Sequence, residues 1–177
     1  VFGLGGISAV KQEWESGTDY FRDQYKLRMG VIGVSHTIFL SKNSFLKTIL
    51  SVNNVTNTYE RKKYDSLDIY QYVDYAHQFI NEGARGTVTY HSKINAKNTL
   101  KTGIIYSLFK FNYFSQSFWE DDMQLHRYLD QKGNTGMLQS FISWKYRINE
   151  NLTLNTGLHY TYFQLNKSSM PEPRAGL

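Results

Sequence analysis

Five histidines, His36, His77, His91, His126 and His159, are the residues best suited to bind a metal or to move a proton near neutral pH. They fall in separate stretches, with no His-x-Glu or His-x-x-x-His spacing, so no zinc site is written into local pattern. Glu120-Asp121-Asp122 followed by His126 could hold a cation or could be a solvated acidic loop; the Asp-x-Asp-x-Asp-Gly spacing of a calcium loop is missing. Ser140 and Ser143 have no glycine elbow, and His159 on a facing stretch is too little for a hydrolytic triad. Gly3-x-Gly5-Gly6 departs from the dinucleotide-binding spacing, and no helical pattern follows it. The basic run Arg61-Lys62-Lys63 is short, and the net charge of +5 is dispersed among Asp and Glu. These residues imply no enzyme, no resident metal or cofactor and no nucleic-acid partner.

The elements that carry these residues are legible from alternation. In Asn134–Asn166, Leu138, Ser140, Ile142, Trp144, Tyr146 and Ile148 share one parity; Gln139, Phe141, Ser143, Lys145 and Arg147 share the other. After the polar turn Asn149-Glu150-Asn151, the returning run sets Leu152, Leu154, Thr156, Leu158, Tyr160 and Tyr162 against Thr153, Asn155, Gly157, His159, Thr161 and Phe163. Successive side chains on a strand point to opposite faces, so this is a hairpin with one dry and one wet side. The same pattern predicts strands over 24–40, 45–59, 84–94 and 99–117. Val1–Val10 reads as a strand end or bend. Lys11–Asp23 reads as a loop, Glu60–Glu82 as a long excursion with a short helix within Leu67–Ile80, Glu120–Gly133 as a second excursion, and Lys167–Pro173 as the start of a third.

The 177 residues contain no cysteine, two prolines and 14 tyrosines, a composition suited to a β protein without disulfides. No run approaches the ~20 apolar residues of a membrane helix, whereas transmembrane strands need only about 9–11 alternating ones. The expected connections alternate short and long. Tyr20, Phe21, Tyr25, Tyr59, Tyr113, Phe114 and Tyr162 lie toward the long-loop ends, and Phe39, Phe45, Trp144 and Tyr146 toward the short turns. Short turns on one side, long loops on the other and two aromatic girdles describe an outer-membrane barrel. The expected fold is all-β: about seven to eight strands of an antiparallel up-and-down transmembrane β-barrel, with short periplasmic turns and long extracellular loops, residues 1–177 forming part of one domain. Parity makes Leu100, Ile104, Leu138, Ile142, Trp144, Leu154, Leu158 and Tyr160 lipid-facing. It makes Lys47, His91, Lys93, Lys101, Lys145, Arg147, Asn155 and His159 lumen-facing, because a lipid-facing Lys or Arg at the midplane would cost about 2–4 kcal/mol.

Three stretches carry a family resemblance: Gly5-Gly6-Ile7-Ser8-Ala9; Tyr25-Lys26-Leu27-Arg28-Met29-Gly30 leading to Ser35-His36-Thr37; and Glu172-Pro173-Arg174-Ala175-Gly176-Leu177. Together with the strand–turn–strand rhythm, they resemble the TonB-dependent receptors, in particular the subgroup with an N-terminal carboxypeptidase-regulatory-like domain. The resemblance implies a bacterial outer-membrane transporter of about 22 strands with a plugged lumen, of which this chain would be a wall segment without the plug. It further implies energised uptake of a scarce ligand such as a metal chelate or glycan. The implied partners are outer-membrane lipid, a plug domain of the same full-length chain and a TonB-type energy transducer. Two other readings stay open: a complete small outer-membrane barrel with a structural or adhesive role, and a soluble β-sandwich or lipocalin-like binding module.

Overall fold

The alternating stretches are strands, and they run well beyond the limits that apolar alternation sets. A computed structural model describes all 177 residues. It contains β1 (Phe2–Ser16), β2 (Asp19–Ser41), β3 (Ser44–Tyr64), β4 (Tyr70–Lys93), β5 (Asn98–Trp119), β6 (Gln124–Arg147), β7 (Thr153–Phe163) and β8 (Ser168–Gly176). Every strand pairs antiparallel with its sequence neighbour, giving one eight-stranded sheet in the order β1-β2-β3-β4-β5-β6-β7-β8. β1 and β8 do not pair, so the sheet is open, and no second layer packs on either face. Of 129 backbone–backbone hydrogen bonds, 120 lie within this ladder, which leaves very little other backbone structure to place.

The turns are tight for local reasons. Gly17 supplies the positive φ of 65° that the β1–β2 connection needs. Asn95 Oδ1 accepts the backbone N–H groups of Lys97 and Asn98, both at 2.9 Å. Asn149 Oδ1 accepts those of Asn151 and Leu152 at 3.0 and 2.8 Å, and Asp65 Oδ1 those of Leu67 and Ile69 at 2.9 Å. Asn and Asp nucleate turns in this way.

Several expectations are corrected. Lys11–Asp23 is the upper part of the β1–β2 hairpin, not a loop. Glu60–Glu82 is the continuation of β3, a five-residue turn at 65–69 and the first half of β4; the helix within Leu67–Ile80 does not form. Glu120–Gly133 is a turn at 120–123 followed by β6, and Lys167–Pro173 belongs mostly to β8. The stretches expected to be long loops are therefore long hairpins. Their charged and aromatic side chains hide the apolar alternation, but the backbone ladder needs only β-compatible residues.

Cross-strand partners share a face, so the registers assign each side chain. The first face carries the rows Ile38–Leu46–Tyr90–Thr102–Ile142–Leu158 and Val34–Leu50–Gly86–Tyr106–Leu138–Tyr162. All eight residues expected to meet lipid lie on this face, and all eight expected to line a lumen lie on the opposite, second face. The apolar run on β5, Leu100 to Leu108, is about 27 Å long at about 3.4 Å per residue. At the tilt of about 40° that strands take in outer-membrane barrels, such a run would span about 20 Å of height, against an outward band of about 25 Å there. It ends at the row Gly30–Asn54–Glu82–Lys110–Asn134, where Lys110 and Glu82 form a 3.0 Å ion pair.

Beyond that row, β1 to β6 project further, whereas the β7–β8 hairpin stops at residues 164–167. Only Met137–Arg147 of β6 pair with β7, so Gln124–Gly136 form an edge on that side. This edge carries Arg127, Asp130 and Lys132 and is bent by a register shift at Ser115/Gln116. Charge and bulges both discourage edge-to-edge pairing.

Candidate functional site

The site begins with side chains two residues apart: Phe21, Asp23 and Tyr25 on β2; Tyr59, Arg61 and Lys63 on β3; Tyr75, His77 and Phe79 on β4; Phe111 and Tyr113 on β5. That spacing sends each trio to one side of its strand, and the registers bring all four groups, with Trp14 of β1, to the second face of the projecting half. The rings form a nearly continuous course. Trp14 stacks on Phe21 at 4.5 Å, Tyr25 meets Tyr59 at 4.4 Å, and Tyr59 meets His77 at 5.4 Å. His77 stacks on Phe79 at 4.5 Å, and Phe79 meets Tyr113 edge-on at 5.2 Å.

An ion pair sits in this course. Asp23, 7% exposed, accepts from Arg61 Nε at 3.0 Å, from Arg61 Nη2 at 3.3 Å and from Trp14 Nε1 at 3.1 Å. The Arg61 guanidinium lies 4.8 Å from the Trp14 ring centroid, so the pair is bidentate and stacked. Tyr59, at 5% exposed, is the only large hydrophobic side chain buried in the chain. Burial alone would raise the Asp23 carboxyl, but hydrogen bonds from Arg61, Trp14 and Tyr59 outweigh it and hold the group below the ordinary carboxylate range. Asp74 behaves oppositely: burial raises it, and Arg61 Nη1 at 3.9 Å is too distant to offset the loss of solvent. Burial likewise lowers His77, favouring its neutral form.

The charged residues singled out from sequence take structural partners here. Each cation of Arg61-Lys62-Lys63 is paired: Arg61 with Asp23, Lys62 with Glu60 at 2.9 Å, Lys63 with Asp19 at 2.9 Å and Glu120 at 3.2 Å. Glu120 also accepts from Tyr72 Oη, and Asp122 accepts the backbone N–H of Gln124 and contacts His126. Asp122 thus braces its own turn, and Glu120 ties that turn to the neighbouring β3–β4 hairpin. Arg22 of β2 ties Glu13 of β1 to Asp68 in the turn between β3 and β4.

The lower half of the second face is different. Lys47, His91, Lys93, Lys101, Lys145, Arg147 and Arg174 share it with a single strand carboxylate, Glu172. Asn155 stands beside Lys145 in register, and His159 Nδ1 lies 3.8 Å from Glu172 Oε1. Ser140 pairs with Tyr160 on the first face, away from His159; Ser143 shares a face with His159, but no hydrogen bond joins them. No group of three His, Asp or Glu gathers in a metal-ligating arrangement.

The aromatic belts need correction. Phe21, Tyr25, Tyr59 and Tyr113 turn to the second face, whereas Tyr20, Phe114 and Tyr162 are on the first. Phe39 and Phe45 also face the second side, where Phe45 stacks on His91 at 4.9 Å; Trp144 and Tyr146 alone hold the first face at the short-turn end. The Asp23–Arg61 pair leaves no local mark in the sequence, because its two halves lie in stretches without apolar alternation. The usable signal was the aromatic-x-charged-x-aromatic spacing in Phe21–Tyr25 and the Tyr59-x-Arg61 pair.

What this arrangement can do is bind. Flat rings and a fixed guanidinium offer stacking and hydrogen bonds to a ring-bearing ligand, and no activated nucleophile stands among them. No family model, no curated protein and no solved structure matches this chain.

Proposed function

We propose that this sheet is a wall segment of a bacterial outer-membrane transport barrel of the TonB-dependent receptor kind, taking up a scarce ring-bearing ligand such as a metal chelate or glycan. One observation carries the membrane part: 8 of 177 residues are buried, and Ile104, Ile142 and Leu158 on the first face are 56%, 48% and 47% exposed. A soluble protein rarely leaves so large a contiguous apolar face open. Two-sheet packing would cover it in a sandwich, and this chain has one sheet. In hydrocarbon, the same face is favourable and every backbone group must be paired, as a closed barrel requires.

The resemblance of Gly5–Ala9, Tyr25–Thr37 and Glu172–Leu177 supports the receptor reading; the first two stretches are register neighbours, with Gly5 opposite Gly30 and Ser8 opposite Leu27. The edges of β1 and β8 would then pair with further strands, and the basic lower part of the second face would meet a plug or water. The ring course on the projecting half would be the first surface an incoming ligand meets. The test is fractionation of the chain as its open reading frame encodes it. Recovery in the envelope, with detergent needed for a monodisperse species, is expected; a monodisperse monomer without detergent would overturn the reading.

A further inference from the structure

Above the apolar band, the first face carries charge that sums unevenly. Arg22 pairs with Glu13, Lys62 with Glu60, Lys110 with Glu82 and Arg127 with Asp130. Lys11, Lys26, Arg28 and Lys132 have no carboxylate partner, and Glu15 is the one acidic side chain of that face left over. Three of the four cations are neighbours. Lys26 and Arg28 are two residues apart on β2, about 7 Å along one side of the strand. Lys11 lies opposite Gln24, diagonal to Lys26. Asn54, Thr56 and Thr58 flank them on β3, with Thr56 opposite Arg28 and Thr58 opposite Lys26.

The position of this cluster points to its partner. Arg28 is four residues beyond Ile32, the last apolar residue of β2 on this face, or about 10 Å higher at a tilt of about 40°. Headgroup regions add about 5–8 Å on each side of the hydrocarbon, and a long cationic side chain can reach down into that layer. The cluster is therefore continuous with the proposed lipid surface and of the sign that attracts phosphate. We propose that Lys11, Lys26 and Arg28 form a docking surface for the phosphate groups of a phosphorylated lipid in the leaflet at the projecting end of the barrel. The inference rests on the barrel reading. The attraction of these side chains to an anionic surface is screened by salt.

The full encoded chain should be placed in phosphatidylcholine nanodiscs with and without lipid A, a bis-phosphorylated glycolipid, and melted at low and at 0.5 M salt. The expected result is a lipid A-dependent rise in Tm of about 5 °C at low salt, lost at high salt. The rise should vanish in K11Q/K26Q/R28Q and persist in K47Q/K101Q/K145Q, whose changes lie on the second face. An equal rise in both variants, or none in the parent chain, would overturn the lipid site while leaving the barrel standing. Failure of the parent chain to enter either nanodisc would overturn both.

Discussion

The two halves of this sheet invert one another. Toward the short turns, the first face is apolar and the second is cationic; toward the projecting hairpins, the first face is charged and the second carries stacked rings around Asp23–Arg61. The strands and their registers pass through the boundary row Gly30–Asn54–Glu82–Lys110–Asn134 without interruption. The backbone therefore does not distinguish the halves, and the side chains alone do. A sheet whose dry side changes over part-way along its strands is what the proposed wall, crossing lipid and then emerging into water, requires.

The comparison breaks most sharply at Ile142. Ile142→Arg, on the first face within the band, should lower stability in lipid by about 2–4 kcal/mol, while Ser143→Arg, one residue along on the second face, should cost under about 1 kcal/mol. Denaturant titration in vesicles measures both, and equal losses would erase the distinction between faces. In the projecting half, Asp23→Ala leaves Arg61 without its main partner among the rings. A loss of about 2–3 kcal/mol is expected, below the usual cost of breaking a fully buried pair because Arg61 remains partly exposed.

Gly103→Ala should cost about 1–3 kcal/mol, since a Cβ there would stand 2.8 Å from both the Phe141 ring and the Val88 carbonyl oxygen. By contrast, Gly30→Ala, with open space around it, should cost little. The smallest effect is in pH. Asp23 is depressed on folding, so its contribution is present above the ordinary carboxylate range and lost as pH falls through the depressed value. Asp74 is raised, so its contribution is present at low pH and lost as pH rises through the raised value. Asp74→Asn should therefore flatten stability on the neutral side, and Asp23→Asn on the acidic side, in melts across pH 3–8.

The inversion also explains what was legible in the sequence. From Asn134 to Asn166, apolar residues keep one parity, and both the hairpin and the split between Leu158 and His159 can be read directly. At Asn53–Tyr64 and Tyr70–Gly83, the bulky residues move to the other parity, as Tyr59, Tyr75 and Phe79, with charges between them. A continuous dry stripe is lost: Asn53–Tyr59 still reads as strand from its β-forming residues, while Glu60–Tyr64 and Tyr70–Gly83 look like loops. The site was hidden for the same reason: Asp23 and Arg61 are 38 residues apart and meet only through the β2–β3 register. The open edges and the single layer are properties of pairing, which no local pattern records.

The central claim is that the first face meets hydrocarbon. The chain has no cysteine, so single cysteines at each position from Leu138 to Lys145 can carry an environment-sensitive fluorophore without a background label. In vesicles of brominated lipid, quenching should alternate with a period of two, strong at Leu138, Ser140, Ile142 and Trp144 and weak at Gln139, Phe141, Ser143 and Lys145. Uniform quenching, or quenching on the odd positions, would contradict the account.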